Sequence, residues 1–440
     1  MREYELPYDL KDVGLRRDYR NPISAPGLVE CFNAKPTPFG MVGVDNVTNP
    51  IDEAMKTEGI EVDWPYPQLY IGKNYTWLMT RDKIYSVTAD WDLVHEADIF
   101  VPSDYGWSVA DFGTYNLFTN RSQVIAMLNG DYTVDLPTGM SDVPYGVTEY
   151  RSRLVTAGPS NLVSWSEIGS TTMTPSRKNT AGYRPLPWRG TCFMVKRLGD
   201  FVVAYGTGGI TAFKSVGTPA PTLAMIEIEN NFGVVAVAGN KDIHYCIDTS
   251  GEMWSLSADL KKTKEGYKEF FEDMGTIVGS FDSLEGDAYF SDGEDTYIKT
   301  PVGLGATNQM LTSVGRYQGS LYGVFSIGNN FGFKVVTDSI DFGTRAIKNL
   351  QVIEITGELP NALYCSVDWR SNKKNDYRES VQKRVNKEGV VYPQIAGVDM
   401  RVILSSSYWE DTRVSGLSLR WKATDRRAIR GISNVNKAYR

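Results

Sequence analysis

Acid–base or metal chemistry at neutral pH most often uses histidine, and this chain has two, His95 and His244. Any triad or histidine metal cluster has to draw on that pair. Each stands among apolar and aromatic neighbours in a strand-like stretch, the setting of a structural histidine. Paired carboxylates are the more serious enzymatic candidate, because two Asp or Glu side chains facing each other cleave glycosidic bonds. Asp248, Glu252, Glu285, Asp287, Asp292, Glu294 and Asp295 all fall at turns. Asp at a hairpin turn has its own backbone reason to be there, and spacing does not pair these groups across a cleft.

Other catalytic signatures are missing from the sequence. It has no Gly-x-Ser-x-Gly elbow and no phosphate loop ending in Gly-Lys-Ser/Thr. Gly206-Thr207-Gly208-Gly209 lies between two strands and not before a helix, so it reads as a hairpin turn. Cys31, Cys192, Cys246 and Cys365 are far apart, which suggests buried reduced thiols and neither a zinc site nor a disulfide framework. DTSGEMW (248–254) reads as a turn whose Trp254 enters the core. The glycosylation-type triplets at Asn46, Asn74 and Asn120 carry little weight as three-letter patterns. The expectation is a non-enzyme, with no catalytic, cofactor-binding or metal-ligating residue assigned.

The chain has 440 residues, 42% of them hydrophobic, with 41 Gly, 25 Tyr and 10 Trp, a turn-rich and aromatic-rich profile that favours strands. A net charge of −7 argues against tight sequence-independent binding of nucleic acid through the overall field. The N-terminus has no apolar core of signal-peptide length, and no run is long enough to span a bilayer, so a soluble protein made in the cytoplasm is expected.

Residues 1–44 read as an extended arm without useful periodicity up to about residue 30 and then a Pro- and Gly-rich segment (31–44) by which the chain enters a domain along its surface. A short helix is expected over Ile51–Glu58. From Tyr66 the texture becomes short strands and turns: 68–72, 75–80, 82–88 and 91–100, then 107–112, 115–120, 123–128 and 132–136 with Asn129-Gly130 as a hairpin turn. A third unit is the hairpin Arg153–Ala157, Gly158-Pro159-Ser160-Asn161, Leu162–Trp165. A fourth covers 190–216, a fifth 223–258, a sixth 276–300, and a weaker seventh 311–327. This cycle over 45–332 predicts a β-propeller of six or seven blades in preference to a chain of β-sandwiches. KKTKEGYKEFFEDM (261–274) reads as an amphipathic helix.

After about residue 333 the strands lengthen, and LQVIEI and LSLRW alternate clearly, which predicts a β-sandwich over 333–411. Residues 412–440 form a closing strand and a basic tail. The fold class expected is therefore all-β: a β-propeller with a C-terminal β-sandwich and extended N- and C-terminal arms. Arg413, Arg420, Lys422, Arg426, Arg427 and Arg430 are the candidate residues for docking on an acidic neighbouring subunit.

YRSRLVTAGPSNLVSWSEIG (150–169) resembles the hairpin of propellers in the tail nozzle or tail-hub (tail tubular) structural proteins of short-tailed bacteriophages: an Arg-x-Arg-Leu strand, a Gly-Pro-x-x turn, a Val-x-Trp-Ser strand. LVECFNAKPTPFG (28–40) is similar to the segment by which such proteins enter their fold, PQLYIGKNYTWLMTRDKIYSV (67–87) to their first blade, and GLSLRWKATDRRAIRG (416–431) to their closing strand and basic tail. The resemblance implies a virion tail protein that forms a ring of six copies around the DNA channel. It implies contacts with adjacent tail, adaptor or portal proteins, and transient, non-specific passage of DNA past an acidic lumen that repels phosphate. The competing expectation is a propeller that binds or hydrolyses glycans at the host surface.

Overall fold

The computed structural model describes residues 3–16, 27–44, 49–128, 131–133, 136–140, 142–217, 222–327, 332–343, 346–372, 374–407 and 412–424. Its contacts divide the chain into two compact units. One comprises Val47–Glu294 and Met310–Ser326, the other Met1–Asn46, Asp295–Gln309 and Ile327–Arg440.

The first unit is built from four-stranded antiparallel meanders in sequence order. They are Gln68–Ile71, Thr76–Met79, Lys83–Val87, Leu93–Asp98; Ser108–Phe112, Tyr115–Thr119, Val124–Leu128, Asp131–Thr133; and Gly146–Glu149, Leu154–Ala157, Leu162–Trp165, Gly182–Pro185. The fourth and fifth are Cys192–Leu198, Phe201–Gly206, Gly209–Val216, Thr222–Asn230 and Val234–Gly239, Ile243–Asp248, Met253–Ser257, Lys262–Gly266. Two further hairpins follow, Val278–Asp282 with Asp287–Ser291 and Gln309–Tyr317 with Ser320–Ile327.

The first strand of each element lines one common cavity, and each element touches the next. Trp107 N–H donates to Gln68 Oε1 (2.7 Å), Val147 N–H to Ser108 Oγ (3.1 Å), and Gly146 lies against the Met194 backbone. His244 Nε2–H donates to the Arg197 carbonyl (2.9 Å), Gly279 lies against the Val237 carbonyl, and Arg316 grips Asp282 through two bonds of 2.7 and 2.6 Å. Leu69 N–H then donates to Ser313 Oγ (2.7 Å), which joins the last element to the first. Seven radial elements thus close a ring, and the unit is a β-propeller.

Blade faces are covered by neighbouring blades, so a strand in the middle of a blade can be apolar and buried at consecutive positions without alternating. Phe201–Gly206 is buried at five consecutive positions after Phe201. The cores lie between blades: Trp77, Met79 and Ile84 of the first meet Phe118, Ile125 and Met127 of the second. Tyr150, Val155 and Trp165 of the third meet Cys192, Val202 and Phe213 of the fourth.

The hairpin expected at 153–165 is present, with Val155 opposite Trp165 and Ala157 opposite Val163. Arg153 Nη1 (2.7 Å) and Trp165 Nε1 (3.0 Å) both donate to the Thr180 carbonyl. That shared acceptor ties the polar loop after Trp165 back onto its own blade. The expected helix near 51–58 is Asp52–Thr57, with Ile51 and Met55 packed under the first blade. The seventh unit appears as Gln309–Tyr317 and Ser320–Ile327. Asn129-Gly130 lies outside the described residues.

Three expectations change. Lys262–Gly266 is the outer strand of the fifth blade, and only Lys268–Phe271 is helical. Gly266 (φ +94°) and Tyr267 (φ +70°) break the chain between them, and pairing with Met253–Ser257 outweighs the helical propensity of the Lys and Glu residues. LAMIEIE belongs to the fourth blade as its outer strand and not to the fifth. Residues 295–309, read as part of the sixth blade and its exit, group with the other unit.

That second unit holds two sheets. One runs Thr296–Lys299, Leu304–Thr307, Ala34–Thr37, Gly40–Gly43, Arg413–Ala423, Lys348–Glu358, Val390–Val391. The other runs Leu28–Phe32, Phe333–Thr337, Asp399–Ser406, Leu363–Arg370, with short strands from the polar stretch 371–389 on its edge. The N-terminal residues are extended, as expected, but they are docked. Glu3–Asp9 pairs with Arg413–Ala423 from Glu3↔Lys422 to Asp9↔Gly416. Its period of two, with Leu6 and Tyr8 buried between exposed Glu5, Pro7 and Asp9, is a short strand signal.

Neighbouring blades come backbone to backbone at glycine. A Cβ on Gly146 would meet Met194 Cα at 2.7 Å and Val195 N at 2.8 Å, both backbone atoms that cannot rotate away. Gly146→Ala is expected to lose about 2 kcal/mol or more in urea unfolding. Gly217→Ala, where nothing lies within 4 Å, should stay within about 0.5 kcal/mol of the parent. Equal costs at the two sites would refute the close-packing account.

Candidate functional site

The propeller axis carries a cavity of about 410 Å³ lined by the inner strands of all seven elements. Its walls are mostly apolar, including Leu69, Val109, Val147, Val195, Val237 and Val314 with the larger Trp107, Phe193 and Phe281, and Ser108, Thr148, Ser280, Thr312 and Ser313 are among the polar residues that line it. The ionisable lining apart from tyrosine is Arg121 and Lys196, and no Asp or Glu is among the described lining residues.

Arg121 stands in the turn after Tyr115–Thr119, with φ +71°, its backbone N–H held by Thr119 Oγ1 (3.1 Å). Its guanidinium lies 4.1 Å from the Tyr105 ring centroid and 5.1 Å from that of Phe193. Burial lowers its pKa. Lys196 projects from the fourth blade's inner strand, and burial pushes its ammonium down to about 8. Neither charged group has a carboxylate partner among the described residues.

Beside Lys196 is His244, fully buried. Tyr205 Oη–H donates to His244 Nδ1 (2.7 Å), and Nε2–H donates to the Arg197 carbonyl, so the ring is neutral and both nitrogens are satisfied. Burial, and secondly the charge of Lys196, bring its pKa to about 3. This is a structural histidine bridging the fourth and fifth blades. His95 is exposed and pairs with Asp98 (3.0 Å).

The carboxylates considered for glycan cleavage are not brought together at the cavity. Asp248 accepts from Ser250, Glu252 N–H and Trp254 Nε1 (2.9 Å). Although burial opposes it, those bonds hold its carboxyl below the usual range. Trp254 is thereby a half-buried turn clamp that packs on Phe232 and does not enter the core fully. Glu252 pairs with Lys264 (2.5 Å), and Asp292 accepts from Glu294 N–H (3.0 Å). Glu285 is on the surface, 4.0 Å from Arg316, while Asp287 is buried opposite Asp282 in its own hairpin. Glu294 is exposed near the end of this unit, and Asp295 opens the stretch that groups with the other one. Among the described residues no cluster of three or more His, Cys, Asp or Glu side chains is set to hold a metal.

The four cysteines are free and buried, and desolvation raises each thiol to about 12. Asn120 is fully buried, its Oδ1 capping Ser122 and Gln123 N–H groups, so its triplet serves the turn. Asn74 is at a turn and donates to the Gly113 carbonyl; Asn46 lies outside the described residues. Among the candidate docking residues, Arg413 pairs with Glu358 (3.4 Å) and Arg420 with Glu354 (2.8 Å). Lys422 lies opposite Glu3, and Arg426, Arg427 and Arg430 are outside the described residues. Arg121 and Lys196 were not singled out from sequence. Isolated cations at turns and in strands carry no spacing signal, and only ring closure brings them to one cavity.

No known protein family matches the chain, and no curated protein matches it. Solved structures do. The WD40 domain of Neurospora crassa Pan2 is 8% identical at a TM-score of 0.39, over 64% of this chain and 90% of that one. Virginiamycin B lyase from Staphylococcus aureus is 10% identical at 0.41, over 62% and 92%. The computationally designed protein Ika8 is 12% identical at 0.37, over 76% and 95%.

The neutral His244 predicts a pH signature. The unfolded chain takes up a proton near the ordinary value of 6.5, whereas the folded chain does so only near 3. The stabilisation is therefore complete above pH 6.5 and is lost as pH falls toward 3, by on the order of a few kcal/mol. His244→Gln should be less stable than the parent at pH 7 by about 1–3 kcal/mol, with the gap narrowing by pH 4.5 in urea unfolding. A gap that does not change with pH would contradict a neutral buried imidazole.

Proposed function

We propose that this chain is a virion structural protein of a bacteriophage tail, six copies of which form a ring that retains the genome and then conducts it. The supporting observation is that described residues carrying the sequence resemblance have architectural roles. Arg153 and Trp165 hold one carbonyl of their blade. Asn161 closes the Gly158-Pro159 turn with φ +55°. LSLRW lies in the strand that receives the N-terminal segment. A fold held in this way suits a passive mechanical part. DNA would pass, without sequence preference, through the acidic lumen of the assembled ring, a different passage from the propeller's own axis. The chain would meet adjacent tail, adaptor or portal proteins at the ring faces, and its place would be the virion tail after synthesis in the host cytoplasm.

Native mass measurement of the purified chain is expected to give an assembly of six times 49.1 kDa, ring-shaped in negative stain. A monomer that binds or cuts polysaccharide would replace this reading with the glycan-active one. Because Arg413 and Arg420 already have carboxylates within the chain, docking is assigned to the basic tail. Replacing Arg426, Arg427 and Arg430 together by Ala should abolish the six-copy species while leaving the circular dichroism and melting temperature of the monomer unchanged. Normal assembly of that variant would remove the tail from the interface.

A further inference from the structure

The propeller axis leaves two cations unanswered. Arg121 and Lys196 line the same cavity of about 410 Å³. Neither has a carboxylate, and Lys196 has no hydrogen-bond acceptor for its ammonium, among the described residues. The chain as a whole carries 53 Asp and Glu against 46 Lys and Arg, so carboxylates are not scarce. Yet none of the described residues lining this cavity is acidic. A half-buried ammonium without a counter-charge is costly to keep.

The two groups are set at different depths. Arg121 stacks between Tyr105, which is 48% exposed, and Phe193 at the start of the fourth blade's inner strand. This places it at one mouth, with the edge of the guanidinium left for a planar oxyanion. Lys196 is three residues beyond Phe193 along that strand, a backbone separation of about 10 Å at the rise of an extended chain, and lines the same cavity. Ser108, Thr148 and Ser313 also line the cavity. That backbone separation favours an extended anion over a single compact one.

We propose that the propeller axis is a binding site for a small organic acid bearing two anionic groups, one taken by Arg121 at the mouth and the other by Lys196 farther in. The site is independent of the ring assembly and would exist in a single chain. The titratable group facing Lys196 from the next blade is His244, which stays neutral, so the pH response of the site belongs to Lys196.

The test is isothermal titration of the full chain with pimelate, butyrate and inorganic phosphate at low ionic strength. Pimelate is expected to bind at least tenfold more tightly than butyrate or phosphate. Its affinity should fall as pH rises through about 8, where Lys196 loses its proton. Lys196→Met should weaken pimelate at least tenfold, Arg121→Met likewise, and Lys196→Arg should retain most of the binding. Circular dichroism checks that each variant is folded, and the pH profile of the parent serves if one is not. No pimelate binding, equal binding of all three probes, preference for phosphate, or pimelate binding insensitive to both pH and Lys196→Met would each overturn the proposal.

Discussion

Leu69 and Ser313, joined by one 2.7 Å hydrogen bond, stand at the place where the last inner strand meets the first. Blades that each need a neighbour on both faces have no stable ends, so the stack must return on itself. The same strand holds its other neighbour through Arg316 and the fully buried Asp282. Thr312 Oγ1 donates to the Pro67 carbonyl at this same seam. The hairpin of 309–327 is separated from the preceding blade by a stretch that groups with the other unit. Closure is thus made by a segment remote from the first blade in sequence, and it brings a large loop-closure cost before its contacts form.

Closure also determines what faces the axis. Inner strands of neighbouring blades approach so closely that glycine is required at points such as Gly146 and Gly279, where backbone meets backbone. The side chains that line the cavity at the axis are mostly uncharged, and the two cations among them, Arg121 and Lys196, are conspicuous. His244 shows the opposite treatment of a polar group. Taken out of water completely, it has both nitrogens matched, to Tyr205 and Arg197, and burial keeps it uncharged.

Much of the architecture was legible in the sequence, for definite reasons. Short runs such as YTWLMT and QVIAML, bounded by Gly, Asn, Asp and Ser, became strands Thr76–Met79 and Val124–Leu128. The Gly158–Asn161 turn set the register of its hairpin. The outer strands were harder to read. Lys262–Gly266 and Gly182–Pro185 are exposed and polar, so no apolar alternation marks them, and only pairing with an already formed neighbour makes them strands. The docked strand Glu3–Asp9 was missed because two buried side chains, Leu6 and Tyr8, are too few to stand out.

By itself the sequence determined the all-β class, the succession of hairpins, the turns and the buried state of the cysteines, because each depends on local alternation, turn chemistry or composition. Ring closure, the grouping of 295–309 with the second unit and the neutral state of His244 were decided by tertiary structure. So was the presence of Arg121 and Lys196 in one cavity at the axis. All of these depend on which residues from distant parts of the chain share a dry interior, and periodicity along the chain carries no record of that.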